Sequence, residues 1–121
     1  MDAQERQELE RYGSWERMTG GEWFLPSMSE AKEEHQRGFR LVKQLNELQN
    51  TDPERAKGIL REILPEESAV PGLHVPLNLE YGCNLVCGER VFINFGATIL
   101  AQAKVTLGDG VMVGPNCSLI T

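Results

Sequence analysis

From Cys87 onward the chain places an apolar residue at every sixth position: Cys87, Ile93, Ile99, Val105, Val111 and Cys117 include no polar member. A second column two residues along reads Phe95, Ala101, Leu107, Val113 and Leu119. A period of six matches neither the 3.6 of a helix nor the 2 of a half-buried strand, so it predicts a solenoid whose triangular coils turn every six residues. The rungs 86–91, 92–97, 98–103, 104–109, 110–115 and 116–121 follow one another without a gap. In the best of them, Leu107-Gly108-Asp109-Gly110-Val111 and Val113-Gly114-Pro115-Asn116-Cys117, an aliphatic residue and a small apolar residue flank glycine and turn formers that tolerate tight corners. Short strands of an antiparallel sandwich would instead alternate in polarity, with turns at wider spacing. One irregularity stands out. The second column lies two residues before the first at Leu85, Val91, Ala97 and Ala103, but two residues after it from Leu107 onward. This marks a change of coil register between Ala101 and Leu107, a place for an irregularity that lines a ligand.

Ahead of the repeat the period is helical. Residues 3–17 predict a short acidic helix with Leu9 and Tyr12 on one face. Ser27-Met28-Ser29-Glu30 fits a capping box opening a helix that runs to about Gln49, with Phe39, Val42, Leu45 and Leu48 as its apolar stripe. Asp52-Pro53 is an N-cap followed by proline at the first helical position, and starts a second helix that carries Ile59, Leu60 and Ile63 and stops at Pro65. Two such amphipathic helices form a hairpin that must bury its stripe, and the first coils are the nearest surface. Pro65 to Pro76 reads as a crossover into an extended stretch, Val75 to Leu79.

Charge and cysteine usage narrow the function classes. A formal charge of -6 over 121 residues gives an acidic surface that repels nucleic acid and anionic membranes, so neither is an expected partner. With no apolar run of spanning length and no signal-like start, the expected location is cytoplasmic. Cys83 and Cys87 are half a metal site at most, and His35 and His74 are the only histidines; no metal is expected. Cys87 and Cys117 fall in the inner column and read as small core residues in a reducing compartment. His35 lies among charged residues and reads as a solvated side chain, His74 as a loop histidine before the first coil.

Three further segments point to a family. Met18-Thr19-Gly20-Gly21-Glu22-Trp23-Phe24, Leu79-Glu80-Tyr81-Gly82-Cys83-Asn84-Leu85 and Val91-Phe92-Ile93-Asn94-Phe95 precede the Gly-Asp and Gly-Pro rungs of 105–116. Together they resemble the maltose and galactoside O-acetyltransferases of the hexapeptide-repeat acyltransferase superfamily, over about residues 18–121. The resemblance implies an α+β fold: an N-terminal helical hairpin followed by a truncated left-handed parallel β-helix of hexapeptide repeats. It divides the chain into an acidic extension (1–17), a maltose acetyltransferase-type helical domain (18–65) and a β-helix incomplete at the C-terminus (66–121).

That family implies transfer of an acetyl group from acetyl-CoA, as co-substrate, to a hydroxyl of a sugar or similar small acceptor, in homotrimers with active sites between neighbouring β-helices. The chemistry needs a general base, because an alcohol attacks a thioester only as it loses its proton, and a donor to the developing oxyanion. In the family the base is a histidine in a His-Pro pair, expected a few residues beyond Thr121. The resemblance therefore implies no catalytic residue within this chain and no turnover without later coils that line the coenzyme groove. On the acceptor side it implies Asn94, whose carboxamide both donates to and accepts from sugar hydroxyls, together with Glu80 and Phe92. Asparagine also suits a β-helix corner, Glu80 reads equally as an exposed charge at a sheet edge, and Phe92 equally as a cover for the helix hairpin. Two departures bear on the acceptor: Ile99-Leu100 leads to Ala101 and Gln102 where relatives carry an aspartate, and Phe24-Leu25-Pro26-Ser27 holds no acidic residue. The alternative expectation is a non-catalytic assembly or interaction module that docks through the hairpin and the last coil.

Overall fold

The computed structural model describes residues 1–26 and 30–121. Among the described residues four α-helices, α1 (Ala3–Glu10), α2 (Trp15–Thr19), α3 (Lys32–Leu48) and α4 (Pro53–Ile63), precede eight short strands. These are β1 (Gly72–Leu73), β2 (Leu77–Glu80), β3 (Leu85–Cys87), β4 (Phe92–Ile93), β5 (Ala97–Leu100), β6 (Val105–Leu107), β7 (Met112–Val113) and β8 (Ser118–Ile120). They pair only in parallel, in three sheets ordered β1-β4-β7, β2-β5-β8 and β3-β6. Consecutive strands thus fall on different sheets and every third strand stacks on the same one, which is the path of a triangular parallel β-helix.

The coil is longer than three six-residue rungs. Gly72 pairs with Phe92, Leu77 with Ala97, Leu85 with Val105 and Phe92 with Met112, a constant offset of twenty. The two additional residues sit at one corner in each coil, after β2 in the 3₁₀ turn Gly82–Asn84 and after β5 in the segment 101–104. The register change read between Ala101 and Leu107 is one of these corners. It also corrects the columns. Ile93 and Ile99 are fully buried, but Phe95 is 52% exposed, because the chain turns outward at the corner after β4 and continues inward only at Ala97.

Corners recur with the same period. Arg90 and Gly110 both have φ near +60 to +75°, as do Gly96 and Asn116. At the second pair glycine suits the upper position, where φ is +74° and a Cβ would displace the Asn116 side chain. Asn84 spans the inserted corner, donating from Nδ2 to the carbonyls of Ala101 (2.9 Å) and Gln102 (3.2 Å) in the coil below.

The helices close the first coil. Val42 and Leu45 of α3 and Ala56, Ile59, Leu60 and Ile63 of α4 merge with Leu73, Leu77, Leu79, Leu85 and the deeper rungs into one core, each fully buried aliphatic side chain contributing about 1.5–3 kcal/mol. α3 also supplies what the outermost strands lack. Asn46 donates to the carbonyl of Leu77 at 3.0 Å and accepts its N–H at 2.9 Å, and Gln49 donates to the carbonyl of Leu73 at 3.2 Å. Phe39, expected in the buried stripe, is instead 48% exposed beyond the end of this contact.

Helix starts follow their caps. Asp52 accepts from Arg55 N at 3.3 Å with Pro53 next. Ser27, Met28 and Ser29 of the expected capping box lie outside the described residues, and α3 begins at Lys32. The single helix expected over residues 3–17 is two, because Ser14 accepts from Arg17 N and starts a second cap while buried Gly13 accepts Glu30 N with its carbonyl. A satellite core of Met18, Ala31 and Tyr81, with Trp15, Phe24 and Cys83 against it, fastens α2 to the inserted corner. No helix among the described residues is long and apolar enough to cross a membrane.

Candidate functional site

Asn94 stands at the corner between β4 and β5. Its N–H continues the ladder to the Val113 carbonyl at 2.9 Å, which fixes the backbone, and its Oδ1 accepts from the N–H of Phe95 at 2.8 Å. One coil above, His74 donates its N–H to the Ile93 carbonyl and places Nδ1 3.3 Å from the same Oδ1. The Phe92 ring meets His74 edge-on at 4.9 Å, and the Phe95 ring lies tilted at 4.5 Å. Phe92 therefore faces this corner and not the helix hairpin. Gly72, its partner in the coil above, leaves the ring room, since a Cβ there would lie 3.1 Å from Phe92 Cδ2.

Glu80 is at a different corner, at the end of β2 just before Tyr81 turns the chain with φ +55°. Its Oε2 lies 3.2 Å from His35 Nε2 and accepts from Gln102 Nε2 at 3.3 Å. Its side chain is 27% exposed and that of His35 30%, so neither is freely solvated. The His35 ring packs on Phe39 at 4.2 Å and Tyr81 at 5.1 Å. His35 thus departs from the solvated reading because α3 lays it against the β-helix. Gln102 Oε1, turned inward by the bond to Glu80, is a buried acceptor with no partner among the described residues.

One chain therefore brings Phe92 and Asn94 together and keeps Glu80 apart from them. A groove of about 570 Å³ runs from Glu80 along α3, between Phe39 and Lys43 on one side and Leu79 and Leu100 on the other. Close to Glu80, burial and the neighbouring Glu34 carboxylate push the Cys83 thiol up to about 11. All three cysteines are free thiols.

Residues 17–67, which contain α3, α4 and the segment leading into them, match the family model described as the maltose acetyltransferase hexapeptide capping motif. The chain is also 27% identical over 104 residues to the galactoside O-acetyltransferase of Escherichia coli strain K12, covering 86% of this chain and 51% of that protein. Its N-terminal part carries the capping motif of the maltose/galactoside O-acetyltransferase family. In this chain the segment that matches the capping motif is, in physical terms, the α3–α4 pair with Asn46 and Gln49 on the first coil. A maltose O-acetyltransferase from Clostridium difficile 630 superposes with a TM-score of 0.81 at 24% identity, over 88% of this chain and 57% of that one. A hexapeptide-repeat-containing acetyltransferase from Vibrio cholerae O1 biovar eltor, solved with acetyl coenzyme A, gives 0.67 at 28% identity, over 85% of this chain and 55% of the other. The chain spans about half the length of the curated relatives it matches.

Sequence reading missed the partners of the site residues. His74 and Asn94 meet because they lie one twenty-residue coil apart, and a spacing of twenty is invisible while the rungs are counted in sixes. The approach of His35 to Glu80 depends on where α3 docks, for which the helix period gives a face but no position along the prism.

Proposed function

We propose that this chain carries the acceptor side of an acetyl-CoA-dependent O-acetyltransferase whose acceptor is a hydroxyl of a sugar or similar small molecule, built on a left-handed β-helix that assembles as a homotrimer. The observation that carries the reading is the placement of Asn94 and Phe92 at one corner of the prism and Glu80 at another. In a threefold assembly a corner of one copy faces a different corner of its neighbour, so residues separated in one chain line a single cleft. In that cleft Asn94 donates from Nδ2 to an acceptor hydroxyl, its Oδ1 being taken by Phe95 and His74, Phe92 covers the sugar face and Glu80 accepts a hydrogen bond from a hydroxyl.

The reaction moves the acetyl group from sulfur to oxygen. The acceptor oxygen attacks the thioester carbonyl while a base takes its proton, and the thiolate leaves as the tetrahedral intermediate collapses. This chain's part is to hold the hydroxyl: His35 meets Glu80, and His74 stands beside Asn94 at the acceptor corner. By resemblance to the family, the base and the coenzyme-binding coils are assigned to residues outside these 121.

The transcript downstream of the Thr121 codon tests the activity. A frame that continues into a histidine-bearing rung should yield a product that releases coenzyme A thiol from acetyl-CoA and a galactoside or maltose, slowed by about tenfold or more in its Asn94→Ala form. A stop codon there, together with no thiol release, overturns the enzyme reading for this chain.

A further inference from the structure

His74 and Asn94 follow the paired residues Leu73 and Ile93 and so occupy the same place on successive coils. The N–H of Phe95 donates to Asn94 Oδ1 at 2.8 Å, which identifies the oxygen arm of the carboxamide. His74 Nδ1 approaches that same oxygen at 3.3 Å. Only a donor is stable there, so Nδ1 carries the imidazole proton, and in the neutral ring the lone pair is left on Nε2. An amide here fixes a histidine tautomer in the way an asparagine or aspartate does in hydrolase triads.

The surroundings fit a particular kind of ligand. The imidazole is held between Phe92 and Phe95, whose rings lie 4.9 and 4.5 Å away, and Phe95 is itself half exposed. Asn94 Nδ2 has no partner among the described residues and remains a donor. A corner that offers one lone pair, one amide donor and aromatic surface matches vicinal hydroxyls on an apolar ring face, because each hydroxyl both donates and accepts. An ammonium group would satisfy Nε2 but leave Nδ2 without an acceptor. We infer that His74 is a specificity-determining residue of the acceptor site, its Nε2 accepting the hydrogen bond of a ring hydroxyl of a neutral sugar or polyol while Asn94 Nδ2 donates to the neighbouring one. This rests on the reading of Asn94 and Phe92 as acceptor residues.

Long-range proton–nitrogen correlation spectra of the ¹⁵N-labelled 121-residue chain test it, with methyl β-galactoside and methyl α-glucoside as probes and His74→Phe to assign the ring. The expected result is an Nδ1–H tautomer in the free protein and a saturable shift of His74 Nε2 on adding sugar. In His74→Phe, with an unchanged circular dichroism spectrum, sugar should bind about tenfold more weakly, as for one lost hydrogen bond. An Nε2–H tautomer, no sugar binding by the folded chain, or binding that leaves Nε2 unmoved and survives His74→Phe would each overturn the assignment. Absence of acetyl transfer moves none of these readouts, so failure of the enzyme reading and failure of this one are separable.

Discussion

At the scale of single residues, a hydroxyl holds the crossover to β3. Ser68 is 3% exposed; its Oγ donates to the Ala69 carbonyl and accepts the N–H of Cys87, both at 2.8 Å. It thereby serves a strand that has no ladder neighbour on that side. Ser68→Ala leaves the Cys87 N–H buried and unpaired, and urea unfolding should show a loss of about 1–3 kcal/mol. Cys83 gives a prediction in pH. Its folded pKa is raised from 9.0 to about 11, by burial first and then by Glu34. Between those values the unfolded chain has released the proton and the folded chain has not, so the contribution is fully present below pH 9 and stability falls as pH rises toward 11. Thiolate absorbance near 240 nm should locate this titration, and Glu34→Gln should move it down.

At the scale of elements, α3 acts as a substitute strand. The Asn46 carboxamide pairs with both polar groups of Leu77 as a neighbouring peptide would. Asn46→Ala removes both bonds at a half-buried site and should lower stability by about 2 kcal/mol, read as a shift in the denaturation midpoint without change in its slope. A charge-neutral change at exposed Lys43, one turn away, should move it little.

Elements also show where sequence reading reaches its limit. Inner positions such as Ile93, Ile99 and Leu107 and the Asp52-Pro53 cap were legible because burial and capping are local constraints written in residue type. Phe95 was misplaced and Phe39 overcounted, because an apolar side chain at a corner or at a helix end carries the same letter as one in the core. The site was legible in part: Asn94 and Phe92 stand together through local sequence, whereas His74, His35 and Gln102 join through coil length and helix docking. A one-dimensional period specifies neither.

At the scale of the whole molecule, the separation of Asn94 from Glu80 makes assembly a condition of the proposed site. Equilibrium sedimentation should return three times the 13.6 kDa of one chain. A monomer at all concentrations would leave the two corners without a shared ligand. The same scale governs the exposed outer positions Met112 and Ile120, which are 79% and 69% exposed. Met112→Lys with Ile120→Lys should leave the circular dichroism spectrum unchanged while raising solubility, unless these residues pack between copies, in which case the sedimenting mass falls.

The twenty-residue coil has a consequence for how such a chain can change over generations. Each corner is stacked on its counterpart above and below, as Asn84 on Ala101 and Gln102 and Gly96 on Asn116. A substitution at a corner is a local event that neighbours can absorb. An insertion within a strand is not, because it would slide that strand out of its ladder. Residues added at a corner instead bulge outward and leave the later strands in register, as the additional residues beside Glu80 already do. A lineage can therefore explore new acceptors at that corner by exchanging side chains or by lengthening the loop, while the strands between corners stay fixed.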